Sequence, residues 1–259
     1  MIEFYKYQGA GNDFILIDNR QGLFRGDKIA FVKKWCERRF GIGSDGLIFL
    51  ENSDKADFLM DFYNPDGSQS FCGNGSRCIV AFANDLGIVK ELTTFEAIDG
   101  LHDGEYLGNG QVKIAMHQYG TIQSVKTDFF IDTGSPHYIA YEADENRDIL
   151  EFGKAIRYSD QYKEEGVNVN LVTIQGEGEI DVRTYERGVE AETFACGTGA
   201  TACGLSYANE YLKEEEGIVK VNVKGGNLRI HYKKIAPGKF EDIWLEGPGV
   251  FVFKGNCDV

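Results

Sequence analysis

The chain is 259 residues long and carries 41 acidic against 27 basic side chains, a formal charge of −14. This acidity argues against nucleic acid or an anionic membrane as the main partner. The 42% hydrophobic and 26% charged fractions are those of an ordinary folded protein. No apolar run approaches the roughly 20 residues a bilayer span needs. The opening MIEFYKYQGAGNDF puts charges and tyrosines where a signal peptide needs an apolar stretch, so cytoplasmic residence is expected.

In chain order, short β-branched and aromatic runs predict strands: FILID, GLIFLE, FLMDFY, VKIAMH, FFIDT, VNLVTI, DVRTYE, VKVNV, LRIHY, IWLEG and FVF. Glycine, asparagine and aspartate clusters between them supply the turns. Asp27–Phe40 reads as an amphipathic surface helix with Lys33, Lys34, Glu37, Arg38 and Arg39 on its wet side. Ser68–Asn84 contains one charge, Arg77, and Thr193–Asn209 contains none. Helices without a polar face are normally buried, and Arg77 then reads as half of a structural buried pair. EYLKEEEG, from Glu210 to Gly217, reads as a solvated helix end.

The sequence repeats itself. C-G-N-G from Cys72 returns as C-G-T-G from Cys196, at an offset of 196 − 72 = 124. GNDFILID from Gly11 is echoed by GSPHYIAY from Gly134, and GIGSDGLIFL more weakly by EGVNVNLVTI. The segments after each C-G-x-G, CIVAFAND and CGLSYANE, are also alike, and these four blocks in one order at nearly constant spacing indicate two homologous halves joined near Gln118–Thr127. The expected fold is α/β of the α+β type. It has two pseudo-symmetric domains, each a curved, mostly antiparallel sheet around a buried central helix. The expected limits are 1–118 with Cys72, 119–250 with Cys196, and a tail 251–259 returning to the first domain. A doubly wound parallel sheet needs a strand–helix alternation that is absent.

Six cysteines occur, and no C-x-x-C pair suggests a zinc ribbon or a thioredoxin-like motif. Most cytosolic cysteines are small buried hydrophobes. Cys72 and Cys196, each opening a glycine-rich helix start, admit more. The first N–H groups of a helix have no intrahelical partner, and with the helix dipole they suit an anion such as a carboxylate. A cysteine there has its thiolate favoured. If both helix starts converge on one ligand, one thiolate removes an α-proton and the opposite thiol returns one, inverting a carbon centre. Inert buried cysteines remain the plain alternative.

GAGNDF (Gly9–Phe14), NPDGSQSFCGNGSRC (Asn64–Cys78), GVNV (Gly166–Val169) and YERGVEAETFACGTGA (Tyr185–Ala200) together resemble the diaminopimelate epimerase family. These motifs are long, ordered and spread over both halves. There is no strand–GxGxxG–helix unit, no P-loop and no lysine context for pyridoxal phosphate. The resemblance implies an isomerase that uses no cofactor and no metal. Its substrate would be diaminopimelate, interconverted between LL and meso forms for lysine and cell-wall synthesis, and it allows a homodimer.

Carried over, the resemblance implies Cys72 and Cys196 as the acid–base thiols, with His137 and Glu186 orienting or polarising them. It implies substrate contacts from Asn12, Asn64, Gly73, Asn74, Asn168, Glu186, Arg187, Gly197 and Thr198. Cys78 and Cys203 then look like packing residues, and Cys36 and Cys257 match no functional position. Read alone, His137 is also a surface histidine behind a turn proline, Asn12 a turn residue, and Arg187 with Glu186 an exposed ion pair. The chain departs from the commoner pattern at three places. Ser135 stands where asparagine is usual, Gly46 where some members have a glutamine contact, and the Asn64–Cys72 loop is one residue short. Rival readings are a proline or hydroxyproline racemase, a same-fold binding protein without the chemistry, and a thiol redox protein.

Overall fold

The computed structural model describes residues 1–117, 119–142, 144 and 146–259. Gln118, in the expected joining segment, lies outside the described residues. The chain divides into two compact units, Met1–Ile114 with Gly247–Val259, and Ala115–Glu246.

The first unit runs β1 (Ile2–Gly9), β2 (Asn12–Asp18), α1 (Lys28–Cys36), β3 (Gly46–Glu51), β4 (Phe58–Tyr63), α2 (Gly73–Asp85), β5 (Leu92–Ala97), β6 (Gly100–Gly108) and β7 (Gln111–Ala115). The second begins with β8 (Gln123–Val125), β9 (Asp128–Asp132), β10 (Pro136–Tyr141), α3 (Ile149–Arg157), β11 (Asn168–Gly176), β12 (Glu179–Glu186) and β13 (Ala191–Glu192). It continues through α4 (Gly197–Tyr211), β14 (Glu216–Val223), β15 (Gly226–Ala236) and β16 (Lys239–Pro248). The last strand, β17 (Val250–Cys257), pairs with β1 in the first unit.

Each unit is a mostly antiparallel sheet interrupted by parallel pairs: β2–β3 and β4–β5 in the first, β10–β11 and β12–β14 in the second. The pairing registers correspond residue by residue. Phe14 lies opposite Gly46 and Ile48 opposite Phe62; in the second unit His137 lies opposite Asn168 and Asn170 opposite Thr184. The repeat seen in the sequence is therefore a repeat of strand order and register.

The buried helices form where charge is missing. In α2 every residue from Asn74 to Ala83 is buried, and in α4 every residue from Gly199 to Ala208. Ile79, Val80 and Phe82 of α2 join a core with Phe14, Leu16, Ile48, Phe58, Phe95 and Val112. Each such side chain contributes about 1.5–3 kcal/mol relative to exposure. Gly9 lets α2 approach β1, because a Cβ there would stand 3.0 Å from the Asn74 carbonyl oxygen and 3.3 Å from the Cys78 sulfur.

Three expectations change. α1 stops at Cys36 rather than Phe40: Glu37 is already extended and Arg39 takes a positive φ of 77°. Its start is as expected, with Asp27 accepting from the N–H groups of Ile29 and Ala30. EYLKEEEG is not one helix end: the helix finishes at Tyr211 and Glu216 opens β14. Strands β1, β5 and β6 and helix α3 are additions to the expected elements: pairing defines the strands, and α3 packs Ile149, Phe152 and Ile156 on its unit's core. Among the described residues no helix is long and apolar enough to cross a membrane.

Candidate active site

In the first unit, Cys72 is the N-cap of α2, and its sulfur accepts from the Gly75 N–H at 3.4 Å. A Cβ on Gly73 would meet nothing within 4 Å, so the backbone at this helix start faces open space. The Asn74 side chain is fixed at both ends. Its Nδ2 donates to Asn12 Oδ1 at 2.7 Å, and its Oδ1 accepts from Arg77 at 2.8 Å. Asn12 in turn donates to Asp45 at 3.1 Å, and Asp45 and Asp13 share Arg38. Lys6 pairs with Asp13 at 2.7 Å.

Arg77 is fully buried but, among the described residues, is not half of an ion pair. Its guanidinium donates to the carbonyl of Pro248 at 3.1 Å and to Asn74, and its third nitrogen has no hydrogen-bond partner. The cation is thus held by neutral oxygens and left one bond short, and burial lowers its pKa. Asn64 closes its own turn, donating to the Ser68 hydroxyl at 3.1 Å and to the Ser70 hydroxyl at 3.2 Å. Gly46 has a packing reason: a Cβ there would lie 2.4 Å from the Phe62 ring, which occupies the space a longer side chain would need.

In the second unit Cys196 caps α4 without a capping hydrogen bond from its side chain; its sulfur lies 3.4 Å from the Thr198 hydroxyl. That hydroxyl is 3.0 Å from Nε2 of His137. His137 is fully buried, not a surface residue, and its pKa falls to about 3, first by burial and then by the Arg187 charge. It is therefore neutral at ordinary pH. Asn168 reads its surroundings with both amide atoms: Nδ2 donates to the Ser135 hydroxyl at 2.7 Å, and Oδ1 accepts from the Arg187 N–H at 2.9 Å. The shorter Ser135 side chain is thus engaged by Asn168. The Arg187 side chain donates to the Glu165 carbonyl at 2.8 Å, and Gly166 (φ +77°) leaves it room, since a Cβ there would stand 2.5 Å from Arg187 Cδ.

The helix dipole does not leave Cys196 as a ready thiolate. Burial and the Glu186 carboxylate push its pKa up to about 12, against the opposing effect of the Thr198 hydroxyl and the Gly199 and Thr198 N–H groups. Glu186 itself is raised by burial. Desolvation outweighs the helix end here. Cys78 and Cys203 are fully buried, and their thiols are raised by desolvation, as suits packing residues. Sequence reasoning missed Asn170, Thr184 and Thr133. Thr133 donates to the Thr198 carbonyl at 2.8 Å, Asn170 contacts His137, and Thr184 donates to Asn170.

A family model described as diaminopimelate epimerase matches residues 4–122 and 129–241. The "Diaminopimelate epimerase" of Flavobacterium psychrophilum is 45% identical over 98% of this chain and 99% of its own length. That of Chlorobaculum tepidum is 41% identical over 96% and 98%. Among solved structures, a PhzF-family phenazine biosynthesis protein of Bacillus anthracis has a TM-score of 0.73 at 15% identity, covering 100% of this chain and 99% of its own. A probable proline racemase of Agrobacterium radiobacter has a TM-score of 0.68 at 14% identity, covering 100% and 93%. These two likenesses concern the fold. The full-length matches, together with a half-buried cysteine at the start of each buried helix, establish that the chain belongs to the diaminopimelate epimerase family.

Proposed function

We propose that this chain interconverts LL- and meso-diaminopimelate with two thiols, Cys72 and Cys196, acting on opposite faces of one α-carbon. One sulfur, as thiolate, takes the α-proton; the other, as thiol, delivers a proton from the far side, and the pair exchanges roles for the reverse reaction. The backbone N–H groups of Gly73, Asn74, Gly197 and Thr198, at the two helix starts, receive the α-carboxylate and the charge that spreads onto it as the proton leaves. Asn12, Asn64, Asn168, Glu186 and Arg187 contact the substrate, Arg187 as a two-pronged carboxylate clamp. His137 acts on Cys196 through Thr198, and Glu186 by its charge.

The observation that carries the reading is chemical: full-length family membership coincides with a thiol at each glycine-rich helix start. The raised pKa of Cys196 supports it as the acid of the resting enzyme. Working thiols also favour a reducing compartment, the cytoplasm. The partly exposed Val250, Phe251, Val252 and Phe253 of β17 favour a homodimer, which sedimentation tests. The main test is incubation with LL-diaminopimelate in deuterium oxide under reducing conditions. Deuterium enters the α-position as the meso form appears; folded, reduced protein that washes in none refutes the proposal.

A further inference from the structure

The two units answer one structural question in two ways. At corresponding register positions the first unit has Phe14, Ile48 and Phe62, all buried, with the Phe14 and Phe62 rings edge to face at 6.2 Å. The second unit has His137, Asn170 and Thr184, equally buried. The helix glycines confirm the correspondence. A Cβ on Gly75 would meet Ile48 Cδ1 at 3.3 Å, whereas one on Gly199 would meet Asn170 Oδ1 at 2.8 Å and His137 Cε1 at 3.2 Å. Apolar side chains evidently suffice to pack this place in the fold. Burying three polar ones costs desolvation that only complete hydrogen bonding offsets.

Their bonds fix a single proton arrangement. Asn170 Nδ2 lies 2.9 Å from the Tyr138 carbonyl oxygen, which only accepts, so the amide is oriented with its NH2 on that side. Its Oδ1 accepts from the Thr184 hydroxyl at 2.8 Å. The second Nδ2 hydrogen then points at His137 Nδ1, 3.2 Å away. Nδ1 must accept, so the one proton of the neutral ring sits on Nε2. Nε2 donates to Thr198 Oγ1 at 3.0 Å, leaving the Thr198 hydroxyl hydrogen free to point at Cys196 Sγ, 3.4 Å away.

We infer that Asn170 is a positioning residue for Cys196. It sets the His137 tautomer, and this turns the Thr198 hydroxyl into a donor to the sulfur, favouring the thiolate that remains after proton delivery. The charged or titratable groups bearing on this place are Glu186, Arg187 and Cys203. Its catalytic meaning rests on the two-thiol reading; the proton arrangement does not, and its test needs no turnover.

Imidazole 15N NMR of the full chain reads the tautomer directly. His137 is expected as the Nε2–H form at neutral pH, and a proton on Nδ1 would overturn the inference. Asn170→Asp keeps the shape but supplies an acceptor to Nδ1, drawing the proton there. Iodoacetamide alkylation, resolved by mass spectrometry, should then slow roughly tenfold at Cys196 and stay unchanged at Cys72, as for loss of one charge-assisted hydrogen bond. In a Thr198→Ala background the same substitution should add nothing, because the relay is already cut. An undiminished effect there would mean that the new charge acts directly, and would sink the relay. Should Asn170→Asp fail to fold, Thr184→Val, which frees one end of the amide, is expected to slow Cys196 by a smaller factor. An unchanged Cys196 rate in that folded variant counts against the inference.

Discussion

The starts of α2 and α4 share a backbone plan and differ in what holds their polar side chains. At α2, Asn74 is clamped between buried Arg77 and Asn12, and Asn12 leads to the charged group of Asp45, Arg38, Asp13 and Lys6. At α4, Thr198 meets a neutral, buried histidine backed by an amide and a hydroxyl. One start is tied to a charge cluster that runs from buried Lys6 out to exposed Arg38, where salt screens it. The other is tied to proton positions, which burial protects. The two copies share the scaffold and hold the side chain that follows each cysteine–glycine pair by different physical means.

The largest effect should come from removing either thiol. Cys72→Ala and Cys196→Ala are each expected to lose at least ~10²–10⁴-fold in epimerisation, the usual worth of a positioned acid or base. Product formation from LL-diaminopimelate measures it. Full activity in one variant would mean that the two helix starts are not equivalent partners.

A second test attacks the polar triad. His137 ordinarily titrates near 6.5 and falls to about 3 in the fold. The unfolded chain therefore takes up this proton first, and stability present above pH 6.5 is lost as pH falls toward 3. His137→Phe, which imports the residue of the first unit, should lack this acid-dependent loss. Urea midpoints at pH 7 and pH 4 compare the two; parallel acid sensitivity would place the effect elsewhere.

A smaller effect is expected at Gly46, whose counterpart in the second unit is Asn168. Gly46→Ala should cost about 1–3 kcal/mol, because the Phe62 ring must yield. Phe62→Leu in the same chain should recover part of it. Chemical denaturation decides, and no loss on Gly46→Ala would remove the packing explanation for this glycine.

Smallest should be the two surface caps, where the units agree. Asp27 and Asp148 each accept from two N–H groups at the starts of α1 and α3. Replacing either by alanine should cost about 1 kcal/mol in thermal or urea unfolding. Markedly unequal costs would show that the copies have diverged even there.

Local pattern was sufficient wherever the physics is local. Continuous strands such as GLIFLE and FLMDFY, the charge-free stretches behind α2 and α4, and the start of α1 at Asp27 lie within a few residues and were legible. Strands β1, β5 and β6 were not, since their mixed composition becomes a strand only by pairing. The candidate site was legible as motifs: Cys72, Cys196 and the glycines around them announce a helix start by themselves.

The sequence by itself determined the duplication, the two thiols, the absence of a polar face on the two central helices and the family. Only the tertiary structure decided that His137 is buried, that Arg77 has no carboxylate partner among the described residues, that Phe62 excludes a side chain at Gly46, and that burial raises the Cys196 thiol. It also joined Asn170, Thr184 and Thr198 to His137. Strand register brings residues dozens of positions apart within 3 Å or so, and desolvation depends on everything packed around a group; neither quantity is written in local spacing.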